Sequence, residues 1–450
     1  MIKKWFLLIT LFLIVIISAY GQNLFENNIT KPDSVKNRTI EFNGYVRASA
    51  FGGTKLYDYS SVFGEFCLKS KLSKNGTFLY ADLRFRKGLN FDKEYSDFQL
   101  KEVYAGYQSN QFDLFLGNQI VTWGRTDGFN PMNNITPNDY FFLTSDFDDQ
   151  KLSNFMLRMK YRFTPVIEIE LIGIPFYSPS VYRYDLFNIN GNVIYDKAIL
   201  PEKTFKNASA ATRLNFEFPK IGFSVSYFRG YNPFSGFNVQ SIDWSTGTPL
   251  ITNAATAYLK NTGGLDFALP INSWIIRGEA AYNITENYDR NMYIPNPDIS
   301  YVIGLEHCFW GITTIFQYVG KYTVDFSELS EPVLPNPSNT AAQMQYAEDM
   351  IIYKSSIFNR KMFYQQEETN RAVTLSLNKD FFYDKCKIEL SGYYNITSEE
   401  LMIRPKITGK ITDMLSASIG GSYMKGPKNS IFNYSAPVLS GFFTELKANF

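Results

Sequence analysis

The connections of this chain alternate in length, and that rhythm restricts its fold more than any single motif. From residue 38 onward, segments with a period of two are joined by short links at 73–76, 108–111, 164–165, 219–220, 269–272, 309–311, 380–385 and 412–413. Between them lie mostly longer links, at 124–152, 175–206, 231–257, 284–297 and 322–368. Alternate residues of a strand point to opposite faces, so a period of two with one apolar and one polar face marks a strand between two media. Short turns at one end and long loops at the other fit an up-and-down barrel that crosses a membrane. A soluble sandwich has no reason to keep its long connections at one end.

The clearest strand runs through Phe155, Leu157, Met159, Tyr161 and Phe163, with Met156, Arg158, Lys160 and Arg162 on the other face. After Thr164-Pro165 the chain returns with Glu168 and Glu170 on the polar face. Leu79, Leu83 and Phe85 alternate in the same way with Tyr80, Asp82, Arg84 and Arg86. Further strands centre near Leu214, Val225, Phe267, Ile276, Ile303, Phe316, Leu375, Leu390, Ile407 and Ile419. The expected fold is all-β: a transmembrane antiparallel up-and-down β-barrel of about 18 strands (range ~16–18) with long extracellular loops. One helical period interrupts the pattern, at 339–354 in the longest link. It reads either as a helix over or in the barrel mouth, or as an irregular external loop.

Export is written at the N-terminus. Lys3 and Lys4 precede an apolar run from Trp5 to Ile17, followed by Ser18-Ala19-Tyr20-Gly21, the layout of a cleavable signal peptide over 1–21. The run is shorter than the roughly 20 apolar residues of a membrane-spanning helix. Residues 22–37 read as a short periplasmic lead and 38–450 as a single barrel domain. With no second long apolar run, an embedded chain must cross by a closed sheet, because open sheet edges leave backbone groups unpaired in lipid.

The chain ends with Val438, Ser440, Phe442, Thr444, Leu446, Ala448 and Phe450 on one face, and Glu445, Lys447 and Asn449 on the other. An alternating strand that stops on an aromatic residue resembles the terminal strand of Gram-negative outer-membrane β-barrels of porin-like type. That resemblance implies localisation in the cell outer membrane and contact with outer-membrane lipids and lipopolysaccharide. It also implies that Phe450 is an assembly signal read by the barrel-assembly machinery. The closing partner of this strand is expected at 38–51, which leaves no free edge. A shorter likeness is carried by Gly117, Gln119, Trp123 and Gly124 and the Asn130-Pro131 turn that follows. These resemble alginate-export-like and related uncharacterised barrel families.

A net charge of +1 argues against a nucleic-acid partner, which selects one-sided charge. Two readings of the inward cations Arg84, Arg86, Arg158, Lys160 and Arg162 stand. With Glu168 and Glu170 they form a mutually paired lattice in a wet lumen, or their excess forms an anion-attracting ladder. After Gly124, the turn formers Asp127-Gly128 and Asn130-Pro131 make the loop compact. Trp123 reads either as an interfacial anchor or, with Arg125, Asp127 and Asn130, as part of a gate folded into the channel. Asp146, Asp148 and Asp149 read as a solvated acidic loop, lacking the glycine and glutamate placement of a calcium loop. Cys67, Cys308 and Cys386 are scattered packing residues. His307, the only histidine, falls near a periplasmic turn, so no catalytic constellation forms. No catalytic residue, metal or cofactor is expected, and the chain reads as a non-enzyme.

The function expected from these features is a porin-like channel for passive or facilitated passage of small polar, including anionic, solutes. Two alternatives stay open. One is transport of a larger anionic or amphipathic molecule such as a polysaccharide or lipid; the other is a plugged barrel with an adhesion or assembly role. A homo-oligomer is compatible with either.

Overall fold

The computed structural model describes residues 38–187, 192–334 and 338–450, so the expected signal peptide and periplasmic lead lie outside the described residues. The first strands are β1 (Arg38–Gly52), β2 (Tyr59–Lys74), β3 (Thr77–Asn90), β4 (Lys93–Gln108), β5 (Phe112–Gln119), β6 (Asn154–Thr164) and β7 (Ile167–Ile174). The middle of the chain supplies β8 (Val193–Ile199), β9 (Ser209–Phe218), β10 (Ile221–Tyr231), β11 (Gly236–Asp243), β12 (Leu250–Thr256), β13 (Leu259–Ile271) and β14 (Trp274–Thr285). The last third adds β15 (Asp298–Phe309), β16 (Ile312–Thr323), β17 (Thr369–Phe381), β18 (Cys386–Asn395), β19 (Glu400–Lys410), β20 (Leu415–Lys425) and β21 (Gly441–Asn449). Eighteen of them form one sheet, and β21 pairs with β1 from Tyr45↔Asn449 to Gly52↔Phe442 to close it. The expected antiparallel 18-strand barrel is the observed one, closed by its last strand against its first.

Hairpin chemistry sets the short-turn end. Asn75-Gly76 and Trp310-Gly311 both take positive φ at both positions, the backbone twist that a two-residue hairpin requires. The outward faces are apolar and uncovered: Val225, Ile303 and Ile419 keep 50%, 52% and 60% of their surface. A continuous apolar exterior of this kind suits lipid rather than water. Inward, Arg47, Glu65, Arg84, Asp266 and Glu279 are buried. The polarity is that of a membrane barrel, with apolar residues outside and charges inside.

The long-loop end departs from expectation in four ways. Three of its connections, at 53–58, 91–92 and 396–399, are short, so the alternation of lengths is not strict. The links expected to be plain loops at 175–206 and 231–257 instead supply β8, β11 and β12, which form a separate three-stranded sheet with β12 in the middle. Helix α1 (Thr340–Met362) outruns the expected 339–354; Asn339 caps it by accepting from the amides of Ala341 and Ala342. Only Asn359 and Met362 of α1 are buried, and Asn359 exchanges both side-chain hydrogen bonds with the Phe237 backbone at 2.7 and 2.8 Å. The helix is thus held at the mouth through its C-terminal turn, where Lys361 and Met362 line the cavity below.

The fourth departure concerns Val438 and Leu439, which close helix α2 (Ile431–Leu439) rather than open the last strand. Ser430 caps this helix by accepting from the Asn433 amide, and Ile431, Ser435 and Val438 are buried at a spacing of one helical face. That period overrides the alternation, and the strand starts at Gly441. Loop residues Phe91, Phe141, Tyr184, Phe237, Met362 and Phe432 meet there in an aromatic core across the mouth.

Candidate functional site

The lumen is crossed by the connection between β5 and β6, residues 120–153. It leaves the wall because its first amides find partners off the ladder. Ile120 N–H donates to the Glu102 carboxylate at 2.8 Å, and Val121 N–H to Thr136 Oγ1 at 3.0 Å. Gly124 then takes φ +114°, and a Cβ there would stand 2.4 Å from Glu279 Oε1, so only glycine fits. Glu279 Oε1 accepts from the amides of Arg125 and Thr126 and from Thr126 Oγ1, each at 2.6 Å, and from Asn130 Nδ2 at 3.1 Å.

Neighbouring side chains of this first half dock on the same wall. Trp123 Nε1 donates to Glu170 at 3.0 Å, and Arg125 pairs with Asp266 at 2.6 Å and Glu217 at 2.5 Å. Asp127 meets Arg277 at 3.1 Å; burial raises its carboxyl above the ordinary aspartate value, and that guanidinium opposes the rise only in part. Beneath them Val121, Trp123, Met132 and Ile135 pack on Met156, Ile172, Ala211, Phe228 and Ala281. Each large apolar side chain buried this way stabilises docking by roughly 1.5–3 kcal/mol.

The second half of the loop reaches the opposite wall as a 3₁₀ turn, Phe147–Gln150. Asp149 bridges two arginines, 2.7 Å from Arg47 and 2.9 Å from Arg84. Burial pushes its carboxyl up, but the two guanidiniums outweigh that and hold it well below the usual carboxylate range. Lys101 Nζ donates to the carbonyls of Asp149 and Lys151, Ser145 Oγ donates to Glu445 at 2.8 Å, and Arg404 donates to the Thr144 carbonyl. The Arg404 guanidinium also lies 3.9 Å from the centre of the Phe147 ring. The loop is thus riveted at both ends across the barrel.

This turn separates two cavities. On the short-turn side lies one of about 550 Å³, lined by Asp146, Asp148 and Asp149; on the long-loop side lies one of about 460 Å³, lined by Phe147 and Gln150. Around the first, the barrel wall contributes six cations (Arg47, Lys69, Arg84, Lys101, Lys406 and Lys447) against Asp82, Glu102 and Glu445. The loop offsets most of that excess with its three aspartates against Lys151. The second cavity carries Lys260, Lys321 and Lys361 against Asp298, which pairs with Lys321, among Tyr140, Phe234, Phe363 and other aromatic residues. Among the described residues, neither Lys260 nor Arg404 has a carboxylate within ion-pair distance.

Each cation of the expected ladder stands beside a carboxylate. Arg84 pairs with Asp82 and Asp149, Arg86 with Glu65, Arg158 with Glu170, Lys160 with Glu168, and Arg162 with Asp113 and Glu168. Arg158, Lys160 and Arg162 line a third cavity of about 580 Å³ toward the short-turn end. Trp123, at 2% exposure, is no interfacial anchor: it is inside the barrel. Asp149 is held by arginines rather than solvated. His307 lies beside Trp274 and Phe309 near the short-turn end, with Nε2 3.0 Å from Ser273 Oγ. Arg47, Glu279 and Arg404 fall on lumen-facing polar faces in the sequence without being singled out there, whereas Asp266 and Lys260 are not read as lumen residues at all. A signal for the docking wall was present: Met156 and Ile172 continue the polar faces of Arg158 and Glu170 with apolar residues, which a purely wet lumen does not require.

No protein-family model matches the chain, and no curated protein matches it in sequence. Solved structures match in fold. The outer membrane protein opdK from Pseudomonas aeruginosa aligns with TM-score 0.53 at 9% identity over 92% of this chain and 98% of that one. OccK2 (OpdF) from P. aeruginosa, solved in complex with glucuronate, gives 0.51 at 8% identity over 93% and 99%. OpdK with vanillate gives 0.51 at 8% identity over 91% and 98%. At this identity the likeness is one of fold alone, the closed antiparallel β-barrel that these proteins form.

Proposed function

We propose that the protein is an outer-membrane channel through which small polar solutes, preferentially anions, pass by a route constricted by the loop at 120–153. Its short-turn end faces the periplasm and its long loops face outward, the usual orientation of such barrels. The observation that carries this reading is the sequence of cavities along the lumen, with a basic wall around the inner one, Lys260 in the outer one, and Arg404 in a smaller cavity beside Phe147 and Gln150 of the loop. Basic rings in a pore of low dielectric favour anions. The aromatic lining of the outer cavity suits a solute with an apolar body beside its charge. Glucuronate and vanillate, found with barrels of similar fold, are both small carboxylates. No catalytic role is assigned to any residue.

Refolded protein in planar bilayers tests this. Steady unit conductance with a reversal potential displaced toward anions is expected. Silent bilayers from correctly folded, heat-modifiable protein would overturn it in favour of a plugged barrel with an adhesion or assembly role.

A further inference from the structure

Asp149 stands where a solute carboxylate would stand. One of its oxygens is 2.7 Å from Arg47 Nη1 and the other 2.9 Å from Arg84 Nη1, the two-point contact that a free carboxylate makes with a pair of guanidiniums. We propose that Arg47 and Arg84 form a carboxylate-binding subsite, that Asp149 is its tethered occupant at rest, and that an incoming solute carboxylate takes the place of Asp149. The inference deepens the channel reading and rests on it for the solute's arrival.

Three observations point this way. First, the carboxylates around the two arginines differ in access. The side chains of Glu65, Asp82 and Glu445 are 0%, 4% and 6% exposed and belong to the wall, whereas that of Asp149 is 17% exposed and belongs to the loop. Asp149 is therefore the partner a solute can reach and displace. Second, the exchange replaces one carboxylate by another, so the buried guanidiniums are never left short of a counter-charge, which would be the costly outcome. Third, the displaced side chain has a polar destination, the inner cavity with Lys69, Lys406 and Lys447 on its wall.

Tethering gives Asp149 a high effective concentration at the subsite, so a solute must outcompete it. Removing its charge should unmask the subsite. Succinate binding to the folded barrel in detergent, measured by calorimetry, reads this without any need for conduction. Asp149→Asn should tighten succinate binding roughly tenfold, the worth of one charge-assisted contact. Ser145→Ala, which removes another loop contact but no charge, should leave the affinity as it is. Adding Arg84→Gln to Asp149→Asn should cancel the gain. The proposal is overturned if Asp149→Asn leaves succinate binding unchanged or weaker, or if Ser145→Ala tightens it equally, since loosening of the loop would then be the cause. Silent bilayers would overturn the channel reading and leave the calorimetric result to decide the subsite.

Discussion

Gly44 and Phe450 exchange both backbone hydrogen bonds, each 3.0 Å long, and the terminal ring stacks on Phe66 with centroids 5.9 Å apart. A Cβ on Gly44 would come 2.2 Å from the Cys67 carbonyl and 2.7 Å from the Phe450 ring. The seam where the chain's end meets its beginning therefore has no room for a side chain. Gly44→Val should abolish the folded, heat-modifiable band. Removing Phe450 should lower the yield of folded barrel while leaving the unit conductance of the folded fraction intact. Altered conductance in that fraction would assign Phe450 a role in the pore.

Glu279 is the rivet for the first half of the loop. Glu279→Ala removes the acceptor of four neutral donors and should cost that docking roughly 1.5–3 kcal/mol, the worth of hydrogen bonding to a buried charged group. Gly124→Ala attacks the same contact from the loop side. Both variants should keep the barrel's heat-modifiability but raise conductance and expose the segment at 120–153 to protease. Unchanged conductance in both would show that the loop does not limit passage.

Selectivity should follow unpaired charge rather than total charge. Lys260→Gln and Arg404→Gln each remove a cation without a nearby carboxylate, so each should shift the reversal potential away from anions more than Lys160→Gln. The triple replacement of Arg158, Lys160 and Arg162 by Gln leaves Glu168, Glu170 and Asp113 uncompensated and should lower anion preference strongly. Equal shifts from Lys260→Gln and Lys160→Gln would contradict this ranking.

The pH response of the loop has a definite sign. Asp149 titrates lower in the folded protein than the ordinary aspartate value of about 3.9, so its contribution is fully present above that value and is lost only as pH falls through the folded one. The Asp149 contact should therefore contribute no undocking transition between about pH 8 and pH 5, and its own loss should add noise only below about pH 4. A step centred near pH 6 that disappears in Asp149→Asn would contradict this.

The barrel was legible because its exterior period is enforced by lipid at every strand: Ile303, Phe316, Leu375 and Ile407 all point outward as the alternation requires. What lies inside and above the barrel was not. Trp123 obeys the composition of a membrane anchor, and only the distant Glu170, 47 residues on, makes it a lumen residue. Val438 fits an alternating strand in isolation, yet the Ser430 cap and the buried Ile431 draw it into a helix. Strands β8 and β12 pair in parallel across a loop boundary, which no local pattern reveals. The pairing of Arg84 with Asp149, 65 residues apart, likewise follows from loop geometry and not from spacing.

That parallel pairing of β8 with β12 bears on the order of assembly. Its two strands come from different loops, and Asn359 of α1 joins the same small sheet from a third. Such contacts are remote in sequence and carry a large loop-closure cost until the barrel wall brings their anchors together. The cap over the mouth is therefore expected to order last, after β21 has met β1. A probe at Phe237 would report completion of the whole barrel, although it touches neither strand of the seam.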